Sequence, residues 1–194
     1  MEYKNGFSLV EVIIAITIIG VIGVISTTIL TRTYRVNTQS DNVSKLKQNG
    51  DAAVNAITEA LRNAEGVVCY STTAPRKSMV IRTLAGKYIK FRFQDPTPVA
   101  SSPVTANGYV VKQENLNVSD YDSFCTTTLS TPTELAITNK EVLGGVSISN
   151  GEFTSLTGRG GKDLVTIKFT VNPSLTYGGI GSNKFDVQTT VQIR

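Results

Sequence analysis

Val12 to Ile25 reads VIIAITIIGVIGVI, an apolar run interrupted only by Thr17, Gly20 and Gly23. Widened to Phe7 and Leu30 it takes in roughly 24 residues, which as a helix rise roughly 36 Å against a bilayer core of about 30 Å. A helix buried in a soluble core keeps a polar side at helical spacing, and Val12 to Ile25 has none, so the segment reads as membrane-resident. The rest of the chain is of a different kind. The 194 residues hold 40% hydrophobic and 18% charged side chains with a net charge of +4, and the mean hydropathy is 0.00. That mean is the sum of one intensely apolar segment and a polar remainder. There is no His and no Trp, and there are two Cys. Absent His excludes Ser-His-Asp and Cys-His catalysis and His-ligated metals, and two Cys cannot make a four-thiolate zinc or iron–sulfur site. The composition points away from most hydrolases and metalloenzymes and leaves carboxylate-only or lysine-based chemistry open; the Asp and Glu residues form no recognisable acid–base pair, and neither a cofactor nor a catalytic residue is expected.

On the N-terminal side of the run stand Met1-Glu2-Tyr3-Lys4-Asn5-Gly6 and then Phe7-Ser8-Leu9-Val10-Glu11. A secretory signal peptide needs a basic start, a short apolar stretch and a small-residue cleavage site after it. Here Lys4 is offset by Glu2 and the apolar stretch is long. A plain single-pass anchor fits the length but leaves Glu11 unexplained. An ionisable residue inside a membrane helix costs about 2.5–3.5 kcal/mol on insertion scales and is a functional hypothesis by default.

Gly6-Phe7-Ser8-Leu9-Val10-Glu11, continued by the apolar helix, resembles the leader of type IV pilins and pseudopilins. The resemblance implies cleavage by prepilin peptidase between Gly6 and Phe7, N-methylation of Phe7, and residence of Glu11 at the family's glutamate position. It implies no enzymatic activity. It also implies partners: the peptidase, the lipid bilayer before assembly, an assembly platform in the inner membrane, and other pilin subunits in a helical filament. Residues 1–6 would be cytoplasmic, and the remainder would leave the inner membrane for an extracellular or periplasmic filament. Glu11 and the new amine of Phe7 lie about one helical turn apart. Each charge is costly alone in an apolar interior and tolerable when paired. Glu11 of an incoming subunit meeting the Phe7 amine of a neighbour would set axial register, as a buried polar residue does in coiled coils. Many family members carry a proline near the position of Thr28, and this sequence does not. Gly20 and Gly23 read either as close-packing positions, the favoured reading, or as a place where the helix loosens on assembly.

Beyond Leu30 the helix becomes amphipathic. Val43, Leu46, Gly50, Val54, Ile57 and Leu61 recur at steps of three and four on one side. No proline occurs before Pro75, so one helix is expected from about Phe7 to Ala64, capped at Gly66. Its ending, Ala60-Leu61-Arg62-Asn63-Ala64, resembles that of the long helix in J-class minor pilins and pseudopilins. From Val67 the period changes to two. Asp163–Val171 and Phe185–Arg194 alternate cleanly, Ser78–Leu84 and Lys87–Gln94 read as a hairpin about Ala85-Gly86, and Tyr109–Lys112 and Val142–Ile148 are weaker strands. The expected architecture is α+β and pilin-like: one long N-terminal helix, membrane-spanning in its first half, packed across an antiparallel sheet. It divides into a leader (1–6), an apolar helix (7–30), its amphipathic continuation (31–65) and a sheet domain (66–194).

The head offers four candidate sites. Cys69 and Cys125 either form a disulfide, which suits an oxidising compartment, or are two buried thiols. Arg76, Lys77, Arg82, Lys87, Lys90 and Arg92 form a basic run with no intervening Asp or Glu. Such a run either grips a polyanion such as DNA or is a solvated side or subunit contact, with Phe91 and Phe93 turned into the core. Asn115, Asn117, Asp120 and Asp122 offer oxygens but match no calcium loop, so no metal is expected. Gly158–Asp163 lacks the residues of a phosphate loop and reads as a turn. The function expected is a structural subunit of a type IV pilus or a related secretion or competence filament, minor by its J-class features. A major pilin and a single-pass anchored adhesin that does not polymerise are the alternatives.

Overall fold

The computed structural model describes residues 8–72, 74–98, 105–114, 134–141, 145–157, 163–174 and 184–193. One long helix, α1 (Leu9–Arg62), precedes every strand. The chain divides into two compact units, Met1–Asp41 and Asn42–Arg194.

In the second unit the last turns of α1 bury the expected stripe. Leu46, Gly50, Ile57 and Leu61 are buried, and Val54 packs half-buried beside them. Ala53 and Ala60 join them, because a core-facing helix needs a stripe wider than one row. Val43 stays exposed. Gly50 lies where the helix meets its sheet. A Cβ built there would lie 3.4 Å from Val171, 3.5 Å from Val187 and 3.6 Å from Phe185, so the helix crosses its sheet at close range.

Five strands, β1 (Ala64–Tyr70), β2 (Ser78–Thr83), β3 (Tyr88–Gln94), β6 (Tyr109–Gln113) and β7 (Glu134–Ala136), pair in the order β1-β2-β3-β6-β7. Three more, β8 (Val146–Thr157), β9 (Asp163–Pro173) and β10 (Phe185–Gln192), form a second sheet in the order β10-β9-β8. The two-residue strands β4 (Thr97–Pro98) and β5 (Thr105–Ala106) pair only with each other. All pairings are antiparallel among the described residues. The chain is thus α+β in a pilin-like layout, with one long N-terminal helix whose last turns pack on antiparallel sheets.

Both larger sheets feed one core. Met79, Ile81, Phe91, Phe93 and Val110 from the first meet Phe153, Val165, Ile167, Phe169 and Val171 from the second, with Ile57 and Leu61 of the helix. Burying each such side chain contributes about 1.5–3 kcal/mol. Single backbone bonds stitch β8 to the five-stranded side: Ile148 N–H donates to the Gly108 carbonyl at 2.8 Å and Phe153 N–H to that of Arg76 at 2.9 Å.

The hairpin forms where its sequence places it. Gly86 takes a φ of 75°, its N–H donates to the Thr83 carbonyl at 2.8 Å, and Thr83 N–H donates to that of Lys87 at 2.8 Å. Two expectations need correction. Gly66 does not cap the helix, which ends at Arg62, and instead lies inside β1. Asn63 donates to the Glu59 carbonyl at 3.2 Å while its own carbonyl accepts from Leu84 N–H at 3.2 Å. The chain therefore passes from helix into ladder with no left-handed residue. The weak strand ending at Ile148 is longer than expected, since β8 continues to Thr157. The strand carries a bulge at Asn150-Gly151: Asn150 has a φ of 54° and the register shifts between Ser149 and Glu152.

Candidate membrane and assembly helix

Helix α1 opens at Ser8, whose carbonyl accepts from Glu11 N–H at 3.0 Å and Val12 N–H at 3.2 Å. Glu11 is the acidic residue of the first turn. A carboxylate there meets the unpaired amides and positive end of the helix dipole, worth about 0.3–1 kcal/mol at an exposed site. Gly6 and Phe7, the expected cleavage and methylation residues, lie outside the described residues.

Beyond Glu11 the helix presents apolar side chains on every side. Ile16 is 64% exposed, Ile19 and Val24 69% each, and the series continues through Leu30 and Val36. The helix is long and apolar enough to cross a membrane, and none of that apolar window is buried. In water such a surface has no favourable state; in lipid or against other apolar helices it does. Gly20 and Gly23 have nothing within 4 Å of where a Cβ would sit. Their small size therefore serves no contact among the described residues and leaves open notches for another helix.

A row of hydroxyls, not singled out in the sequence, complements this surface. Thr17 Oγ1 donates to the Ile14 carbonyl at 2.8 Å, Thr27 to Gly23 at 2.8 Å, Thr28 to Val24 at 2.9 Å, Thr31 to Thr27 at 2.8 Å, and Thr33 to Ile29 at 2.9 Å. Each turns its polar hydrogen back onto its own helix, so an apolar solvent meets few unsatisfied donors. The signal was present as threonines within an otherwise aliphatic helix.

The head residues are placed as follows. Cys69 lies half-buried on β1 and is disulfide-bonded; Cys125, the other cysteine of the chain, lies outside the described residues. The basic run does not form one open row. Lys77 pairs with Asp95, Arg82 reaches Glu65 at 3.3 Å, and Arg76 lies 5.4 Å from the Tyr70 ring centre. Arg92 Nη2 donates to both Glu134 oxygens, at 3.0 and 3.1 Å. Lys90 is 6% exposed; burial, then the neighbouring Arg92, pulls its ammonium below the ordinary lysine value, while Glu134 opposes. Lys87 stays exposed at the hairpin turn. Phe91 and Phe93 point into the core. Asn115, Asn117, Asp120 and Asp122, and Gly158 to Lys162, lie outside the described residues. Among the described residues no three His, Cys, Asp or Glu side chains gather as a metal site.

Residues 1–27 match the family model described as the prokaryotic N-terminal methylation motif. That match spans the leader, Glu11 and the apolar run to Thr27. No curated protein and no solved structure matches the chain.

Proposed function

We propose that this chain is a prepilin, a structural subunit without catalytic groups of its own, for a type IV pilus or a related secretion or competence filament. The observation that carries this reading is the methylation motif over residues 1–27 running directly into an unpartnered apolar helix. Cleavage after Gly6 leaves that helix on the product, where a signal peptidase would remove it. Phe7 then bears the methylated amine. The helix is held in the inner membrane until neighbouring helices replace lipid around it, with Glu11 of one subunit against the Phe7 amine of the next. The J-class ending of the helix favours a minor subunit. Co-expression with a prepilin peptidase tests the proposal: the mass is expected to fall by residues 1–6 and rise by one methyl group. An unshifted mass would leave a plain membrane anchor.

The head fits an extracytoplasmic setting through a Cys69–Cys125 bridge. Closing a loop of that length stabilises by about 4 kcal/mol in the chain-entropy account. The denatured, unreduced protein is expected to show no titratable thiol and the reduced protein two; free thiols before reduction would remove the bridge.

A further inference from the structure

The apolar part of α1 gives way to polar residues in one step. From Leu9 to Leu30 the helix rises about 32 Å, close to the hydrocarbon thickness of a bilayer, about 30 Å. The five residues that follow, Thr31-Arg32-Thr33-Tyr34-Arg35, take up roughly the next 8 Å of the axis, about the depth of the headgroup layer on one side. Arg32 and Arg35 are the first cations after Lys4, and both are exposed. Tyr34 is 67% exposed at the same level, where an amphipathic ring is at home.

Nothing on the helix itself answers the two arginines. The residues one turn from Arg32 are Thr28, Ile29 and Val36, and those one turn from Arg35 are Thr31, Thr38 and Gln39. None is acidic. Asp41 comes six residues after Arg35, which is about 9 Å along the axis and on another side of the helix. Neither arginine takes part in an ion pair among the described residues. They are instead each other's neighbours at a spacing of three, where like charges repel. An anion set between them turns that repulsion into two attractions. The hydroxyls of Thr31 and Thr33 are already spent on the Thr27 and Ile29 carbonyls, at 2.8 and 2.9 Å, so this level of the helix presents chiefly guanidinium donors.

We propose that Arg32 and Arg35 together hold the phosphate of an anionic lipid headgroup, in the leaflet at the C-terminal end of the apolar segment, with Tyr34 setting the depth of the helix beside it. Guanidinium forks match phosphate oxygens in geometry as well as charge. A zwitterionic headgroup brings its own ammonium to the same place, so the pair selects a lipid whose net charge is negative. In the leader Glu2 offsets Lys4, and no comparable pair of cations stands there. The hold on lipid therefore lies at the end of the span that leader cleavage leaves untouched, and it keeps the processed subunit in the bilayer until other helices replace lipid.

The inference rests on the membrane-resident reading of α1 and not on leader cleavage, so its test uses the full chain without the peptidase. The chain has no Trp, so Tyr34→Trp supplies a single reporter at the level in question. The protein is placed in phosphatidylcholine vesicles containing phosphatidylglycerol, with one lipid or the other carrying bromine on its acyl chains to quench the indole. Phosphatidylglycerol is expected to outcompete phosphatidylcholine beside Trp by about fivefold, the factor for one such charge contact at an anionic surface. Raised salt should weaken the preference. Arg32→Gln with Arg35→Gln in the same background should bring it to about one, while quenching by brominated phosphatidylcholine persists and shows that the helix is still inserted. Equal quenching by the two lipids with both arginines present, or a preference that survives their removal, would overturn the headgroup site alone. Quenching by neither lipid would overturn it together with the membrane reading.

Discussion

Glu11→Val is expected to reach the membrane and to lose residues 1–6 as the wild type does, yet to be depleted about a hundredfold from sheared filaments. The cause is the amine that the substitution leaves behind. Valine removes a costly carboxylate from an apolar helix, so insertion itself becomes easier. Assembly reverses the sign, because the Phe7 amine of a neighbour would enter the helix bundle unpaired. Breaking one side of a buried ion pair costs about 3–5 kcal/mol, and each 1.4 kcal/mol is about tenfold in an equilibrium. Glu11→Gln keeps the shape and hydrogen-bonding capacity but not the charge, and should fall between the two. Quantifying processed subunit in membranes and in sheared filaments measures both steps at once. Wild-type abundance of Glu11→Val in filaments would end the charge-pair account, whatever its effect on cleavage.

The helix, its stripe and the best strands were legible because each is a repeated local pattern. Val165, Ile167, Phe169 and Val171 are buried as their alternation requires, and the hairpin turns on Gly86. What escaped depended on partners distant in sequence. The basic run from Arg76 to Arg92 contains no acid, yet Glu65, Asp95 and Glu134 arrive from other segments to pair with it. Gly66 carried a helix-stop signal, but pairing with Arg82 across the ladder claimed it for a strand. β7 has three residues and is held by β6, so no period exists to be read. The candidate helix divides in the same way. Its membrane character lies in composition, whereas the hydroxyl bonds that adapt it to an apolar solvent follow from helical geometry.

Gly151→Ala is expected to be costly, because one methyl group there meets a packed aromatic ring. A Cβ built there would lie 2.1 Å from Phe93 Cγ and 2.5 Å from its Cβ and Cδ1, deep inside any carbon–carbon contact. Phe93 cannot yield without loss, since its ring lies 4.7 Å from that of Phe153 and 5.6 Å from that of Phe169. Displacing it adds the lost aromatic pairs, about 0.5–1.5 kcal/mol each, to an overpacking cost of about 1–3 kcal/mol. Gly151→Ala is therefore expected to destabilise the head by about 3 kcal/mol, which in a domain of this size lowers Tm by about 10 °C. Gly50→Ala is the contrasting case. Its Cβ would meet Val171 at 3.4 Å, ordinary contact, and a helix gains about 1 kcal/mol when Ala replaces Gly. Thermal unfolding of the detergent-solubilised chain should show Gly50→Ala at or slightly above the wild type. The cause at Gly151 is checked by a cycle with Phe93→Ala. If the ring is the obstacle, Gly151→Ala should cost much less once the ring is gone, a non-additivity expected of groups in contact. Equal costs in both backgrounds would mean that the Cβ of residue 93, 2.5 Å away and kept by the alanine, is the obstacle instead of the ring.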